Sequence, residues 1–155
     1  MLTIRSKAFS AGGSIPAVHT CEGRDLAPAL EFSGAPAGTK SLALIVHDPD
    51  APDPKKPQRD YVHWVAYNLP PDCKGLPEGG ALPKGARSGL NDWKKEGYGG
   101  PCPPIGRHRY FFALFALDTM LPDLGAPTRQ ELEQAAKGHV LEQVSLMGTY
   151  EKARK

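Results

Sequence analysis

The chain predicts a mainly β domain with many turns, long ordered loops and one helix near the C-terminus. Three observations carry this. There are 17 glycines and 16 prolines in 155 residues, about a fifth of the chain against a usual share of about 12%. Between them stand apolar runs too strong for a disordered polymer and rich in the β-branched and aromatic residues that suit strands. Only the tail switches to helix formers.

The elements follow in chain order. "LTIRSKAF" (Leu2–Phe9) alternates well enough for a first strand, and "PALEFSG" reads as a short second one ending in a turn. "SLALIVHD" (Ser41–Asp48) is nearly continuously apolar, as expected of a central strand covered on both faces. "YVHWVAYNL" (Tyr61–Leu69) and "RYFFALFALD" (Arg109–Asp118) read as further buried strands, and turn signals fill the stretch between them. A loop of that length inside a compact domain is usually functional or disordered. In "PTRQELEQAAKGHV" Thr128 is placed as an N-cap with Glu131 as its capping-box partner, and Gly138 ends or interrupts the helix. "QVSLMGTYE" alternates again as a closing strand.

The length fits one domain over residues 1–155, able to bury roughly 70% of its unfolded surface. With 19 basic and 17 acidic residues the net charge is +2, much of the excess lying in the last five residues. No basic stripe interleaves with aromatics, which disfavours nucleic-acid binding. No run approaches the ~20 apolar residues of a membrane span, and the first residues are too polar and broken for a signal peptide. Cys21, Cys73 and Cys102 show neither paired nor metal-ligand spacing. They are expected as reduced thiols of a cytoplasmic protein.

Three places could carry chemistry. In "HDPDAPDPKKPQRD", Asp48 continues the face of Leu42, Leu44 and Val46 and leaves the core at the strand mouth. An EF-hand is excluded, because Arg59 stands at its twelfth position and Asp53 at its sixth. An acidic pair for binding, and an Asx-type turn closing the strand, remain as readings. His63 shares a strand face with Tyr61, Val65 and Tyr67 under strict alternation, and His108 shares one with Tyr110, leaving Arg109 opposite. Gly99-Gly100-Pro101 would form a wall where a ligand can approach backbone N–H groups. Cys102 beside His108 offers a rival, a thiol–imidazole hydrolase with Asp48 orienting the base. Metal hydrolysis through Asp48, Asp50, His63 and His108 lacks a tight ligand pair.

"SLALIVHDPDAP", "YVHWVAYNLP" and "GYGGPCPPIGRHRYFFALFAL", in that order, resemble the phosphatidylethanolamine-binding protein family, in particular its bacterial, Raf-kinase-inhibitor-like branch. The resemblance runs essentially end to end. It implies a sandwich of antiparallel sheets in Greek-key order with small peripheral helices, and no cofactor. It also implies a pocket for phosphate, phosphorylethanolamine or acetate, lined by Asp48, Asp50, His63, Gly100, Pro101, His108 and Tyr110. Ala51–Pro52 is the cis bond it implies, and bacterial members are often homodimers. Gln58 and Tyr61 stand where animal members have Tyr and Trp, and no C-terminal gating helix follows Tyr150. A kinase, a protease or another signalling protein is the kind of partner implied, with Trp93 on an accessible loop either as an anchor or packed down to hold it. Donors on His108 and near Gly100, with the Tyr110 hydroxyl, would hold the anion. A protonated histidine, or a proton on the phosphate given to a carboxylate, would favour binding, which then weakens as pH rises and these protons are lost.

Overall fold

The computed structural model describes residues 1–152; part of the basic tail counted above lies outside the described residues. Its strands are β1 (Thr3–Arg5), β2 (Leu30–Ser33), β3 (Ser41–Ala51), β4 (Arg59–Leu69), β5 (Gly75–Leu76), β6 (Arg87–Ser88), β7 (His108–Leu117) and β8 (Val140–Tyr150), with α1 (Arg129–Ala136) before the last. They form a three-stranded sheet, β1-β2-β5, and a five-stranded sheet, β6-β4-β3-β7-β8, with antiparallel pairing throughout both.

Period two assigns each side chain to a layer. Leu42, Leu44 and Val46 of β3 join Phe112 and Leu114 of β7 in a core with Ile4, Leu30 and Phe32 from the small sheet. Ala43 and Ile45 face the other way and meet Leu132 and Ala136 of α1. β3 is therefore covered on both faces, as its continuous apolar run predicts. The helix starts where expected: the Thr128 side chain accepts from Glu131 N–H while the Glu131 side chain accepts from Thr128 N–H. It ends before Gly138, whose φ of 84° suits a residue without Cβ.

One expectation needs adjusting. The first strand is shorter than Leu2–Phe9, because the Ser6 hydroxyl donates to the Ala29 carbonyl and accepts from Ala8 N–H, turning the chain out of the ladder. The long loop before β7 is ordered along the edge of β4 that β6 leaves unpaired. Gly89 N–H donates to Val65 O, Asp92 N–H to Val62 O and Gly99 N–H to His63 O, so much of the strand's outer row of acceptors is satisfied without a regular neighbour.

Candidate functional site

β3 ends, and β4 and β7 begin, at the same end of the five-stranded sheet. A cleft of about 470 Å³ opens there, lined among others by Asp48, Pro52, Tyr61, His63, His108 and Tyr110. The ordinary alternation of β3 and β7 delivers Asp48, His108 and Tyr110 to the core-facing side.

His63 arrives differently. The β3–β4 register passes from Val46–Trp64 to His47–Val62 and skips His63. This is a β-bulge, two residues opposite one. Trp64 accordingly packs in the inter-sheet core, while Val62, Val65 and Tyr67 pack under α1. The expectation that Tyr61 and His63 share the face of Val65 and Tyr67 is thereby corrected: the extra residue swings both toward the cleft. The His63 ring meets the rings of Tyr110, Tyr61 and Trp93 edge-on at centroid distances of 5.2, 5.4 and 5.0 Å. Its Nδ1 lies 2.8 Å from the Gly99 carbonyl. A carbonyl only accepts, so Nδ1 carries a hydrogen. Burial pushes the His63 pKa down to about 4, so the ring is neutral above that value.

Asp48 is buried and both of its oxygens are engaged. Oδ1 accepts from Asp50 N–H at 2.8 Å, the Asx-type contact read from the sequence. Oδ2 lies 2.5 Å from His108 Nδ1. His108 Nε2 faces two carbonyls, Ile105 O at 2.9 Å and Pro52 O at 3.1 Å. Nε2 must therefore carry a hydrogen, and a second proton must sit between Nδ1 and Oδ2. Burial raises the Asp48 pKa, with the His108 bond acting against it. Wherever the shared proton resides, the pair has no net charge, and His108 has no nitrogen left for a ligand. Its expected role as donor is corrected accordingly.

Tyr110 is 1% exposed and its hydroxyl has no hydrogen-bond partner. Burial pushes its pKa up, with Asp48 beside it acting in the same direction, so it stays a donor. Ala51–Pro52 is cis.

Asp50, Gly100 and Pro101 do not line this cleft. Between Asp48–Tyr61 and Ala51–Arg59 the register gains a residue on β3. Asp50 is turned onto Arg109, accepting from its backbone N–H and from two guanidinium nitrogens, each at 2.9 Å. The guanidinium holds the Asp50 carboxyl below the usual range. Gly100 N–H donates to Asp25 at 2.8 Å and Pro101 O accepts from Cys21 N–H, so neither offers an anion donor. Glycine is required at position 100 by protein packing: a Cβ there would stand 2.3 Å from His19 O.

The cysteine reading is overturned. Cys21 and Cys102 form a disulfide across 81 residues, leaving only Cys73 free among the described residues. Two loops distant in sequence bring the sulfurs together, which spacing along the chain could not reveal. Cys102 is thus no thiolate nucleophile, and reduced thiols no longer support a cytoplasmic location. No helix among the described residues is long and apolar enough to cross a membrane, and no cluster of three or more His, Cys, Asp or Glu side chains there could hold a metal ion.

The rim holds a residue that sequence reasoning passed over. Arg59 lines the cleft, its guanidinium 4.8 Å above the Tyr61 ring and 3.1 Å from Asp92. Its signal was available, since it sits two residues before Tyr61. Trp93 packs down on His63 and Tyr61, with Gly99 so close that a Cβ would lie 2.3 Å from the indole. It holds the loop while staying 40% exposed.

Residues 5–151 match the sequence model of the phosphatidylethanolamine-binding protein family. A UPF0098 protein of Methanothermobacter thermautotrophicus is 44% identical over 96% of this chain and 98% of its own length. A UPF0098 protein of Chlamydia pneumoniae is 45% identical over 98% and 100%. Among solved structures, the phosphatidylethanolamine-binding protein homologue CT736 of Chlamydia trachomatis superposes with a TM-score of 0.91 at 42% identity, covering 98% of both chains. E. coli YbcL, described as a member of the mammalian family, gives 0.87 at 31% identity over 98% and 99%. With the sandwich and the Asp-Pro-Asp, His63 and His-x-Tyr elements gathered at one sheet end, the chain belongs to the phosphatidylethanolamine-binding protein family, in its bacterial branch.

Proposed function

We propose that this protein binds a small phosphate-bearing anion, such as inorganic phosphate or a phosphorylethanolamine head group, in the cleft between β3, β4 and β7. The Tyr110 hydroxyl carries the reading. It is a buried donor without a partner, and leaving such a group unmade costs about 1–3 kcal/mol. A ligand oxygen at the cleft floor would recover that cost. The carboxylate beside it does not repel an anion, because Asp48 shares a proton with His108. Arg59 supplies positive charge at the rim, moderated by Asp92.

The same inventory disfavours hydrolysis. The Cys102 sulfur is bonded to Cys21, and both His108 nitrogens are engaged within the protein. Modulation of a kinase or another signalling partner is a further step that this reading does not require.

Calorimetric titration with phosphorylethanolamine at pH 5.5 tests the proposal. The wild type should bind saturably at one site, and Tyr110→Phe should weaken binding about three- to tenfold, the scale of one net hydrogen bond. Absence of saturable binding at millimolar ligand would refute it.

A further inference from the structure

Most side features of the molecule lead nowhere new. An apolar groove lies between α1 and β8, and a second cavity is lined by Arg5, Asp72, Cys73 and Lys74. The donor and acceptor pattern of the main cleft goes further. His63 Nδ1 is spent on the Gly99 carbonyl, so the lone pair of this cleft-lining ring sits on Nε2. What this ring offers a ligand is therefore a lone pair.

We propose that the cleft takes the singly protonated form of a phosphomonoester and discriminates against a sulfate ester of the same shape, because His63 presents an acceptor where the ligand must place a hydrogen. This rests on the anion-binding reading above and specifies its ligand. A phosphomonoester monoanion has one P–O–H to donate and unprotonated oxygens to accept from Tyr110. A sulfate ester has the same charge and outline and nothing to donate. A phosphomonoester dianion, having lost its proton, would set an oxygen lone pair against that of Nε2.

The charged and titratable groups around His63 leave this pattern intact. From β3 and β7 come Asp48 and His108, joined by their shared proton, with Tyr110 neutral. From β4 comes Tyr61, its phenol raised by burial, and Arg59, paired with Asp92 of the packed loop. His63 itself is held neutral well below the range in which a phosphomonoester loses its last proton, about pH 6. The ligand, rather than His63, is the group that titrates.

The test compares phosphorylethanolamine with ethanolamine O-sulfate by calorimetry at pH 5 and pH 8. At pH 5 the phosphate compound should bind about five- to tenfold tighter, the worth of one hydrogen bond. At pH 8 that advantage should vanish, while the affinity for the sulfate ester stays level. His63→Asn places an amide N–H near the former Nδ1 and nothing at Nε2. It should keep the Gly99 contact, checked by an unchanged melting curve, and lose the discrimination. If the wild type binds both compounds equally at pH 5, or prefers the phosphate equally at both pH values, this inference falls and anion binding stands. Discrimination that survives in a folded His63→Asn removes His63 from the explanation. Binding of neither compound overturns both readings.

Discussion

Replacing Asp48 by Asn should invert the pH dependence of the protein's stability. In the wild type His108 Nε2 donates to carbonyls and a second proton lies between Nδ1 and Asp48 Oδ2, so the native pair holds two protons. An unfolded chain with a free carboxylate and a free imidazole holds two between about pH 4 and 6.5, and one above that. Folding therefore takes up a proton at neutral pH. The pair, rather than either residue, is the titrating unit. The sign follows: native Asp48 has a raised pKa, so its contribution is present at low pH and lost as pH rises. Each unit above about 6.5 costs about 1.4 kcal/mol, or about 2 kcal/mol by pH 8. In Asp48→Asn the amide oxygen can still accept from Asp50 N–H, and the amide nitrogen can donate to a neutral Nδ1. That geometry holds one proton fewer. The variant should then be flat above about pH 6.5 and lose about 2 kcal/mol on descending to pH 5, where the unfolded imidazole takes up a proton. The stability difference between the proteins should swing by about 4 kcal/mol between pH 5 and 8. Urea unfolding at three pH values measures it, and other carboxylates cancel in the difference. A difference that stays constant with pH would refute the proton count, and with it the neutrality of the pair.

Tyr110→Phe should stabilise the empty protein by about 1 kcal/mol, because it deletes a buried hydroxyl without a partner. That is about 2–4 °C in a thermal melt for a domain of this size, and a lower Tm would mean that the hydroxyl is satisfied. Reducing the Cys21–Cys102 bridge, which closes 81 residues, should cost up to about 4.5 kcal/mol on the chain-entropy argument. The urea midpoint should fall accordingly in reductant; an unchanged midpoint, with alkylation showing both thiols free, would refute it.

How much of this was legible depends on whether local pattern or long-range contact decides each feature. The apolar run Ser41–Asp48 announced β3 because a strand covered on both faces has no polar positions to spare. Thr128 and Glu131 announced α1 because their bonds lie within one turn. The two-residue strands β5 and β6 left no trace, since pairing of that length is imposed by the neighbour. The Cys21–Cys102 bridge joins segments whose proximity is a product of the whole sandwich. Gly100 and Pro101 sit in a loop whose composition suited a ligand wall, but Asp25 and Cys21 claim their polar groups. Motif resemblance singled out Asp48, His63, His108 and Tyr110, which meet in one cleft, together with Asp50, Gly100 and Pro101, which do not line it.

The bulge at His63 decides the chemistry more than any residue's identity does. Without the extra residue, strict alternation would place His63 under α1 with Val65 and Tyr67, and the cleft would lose the lone pair of its Nε2. A bulge disrupts the ladder and leaves backbone groups to be satisfied elsewhere. Here the long loop supplies the partners: Gly99 donates its N–H to His63 O and accepts from His63 Nδ1, while Asp92 accepts from Val62 N–H. The contacts that satisfy the bulge also choose the tautomer, since a carbonyl at Nδ1 leaves the lone pair on Nε2. If the cleft binds the proposed anion, the loop's glycines and prolines act on it through His63. They hold the backbone close enough to set which of its nitrogens carries the hydrogen.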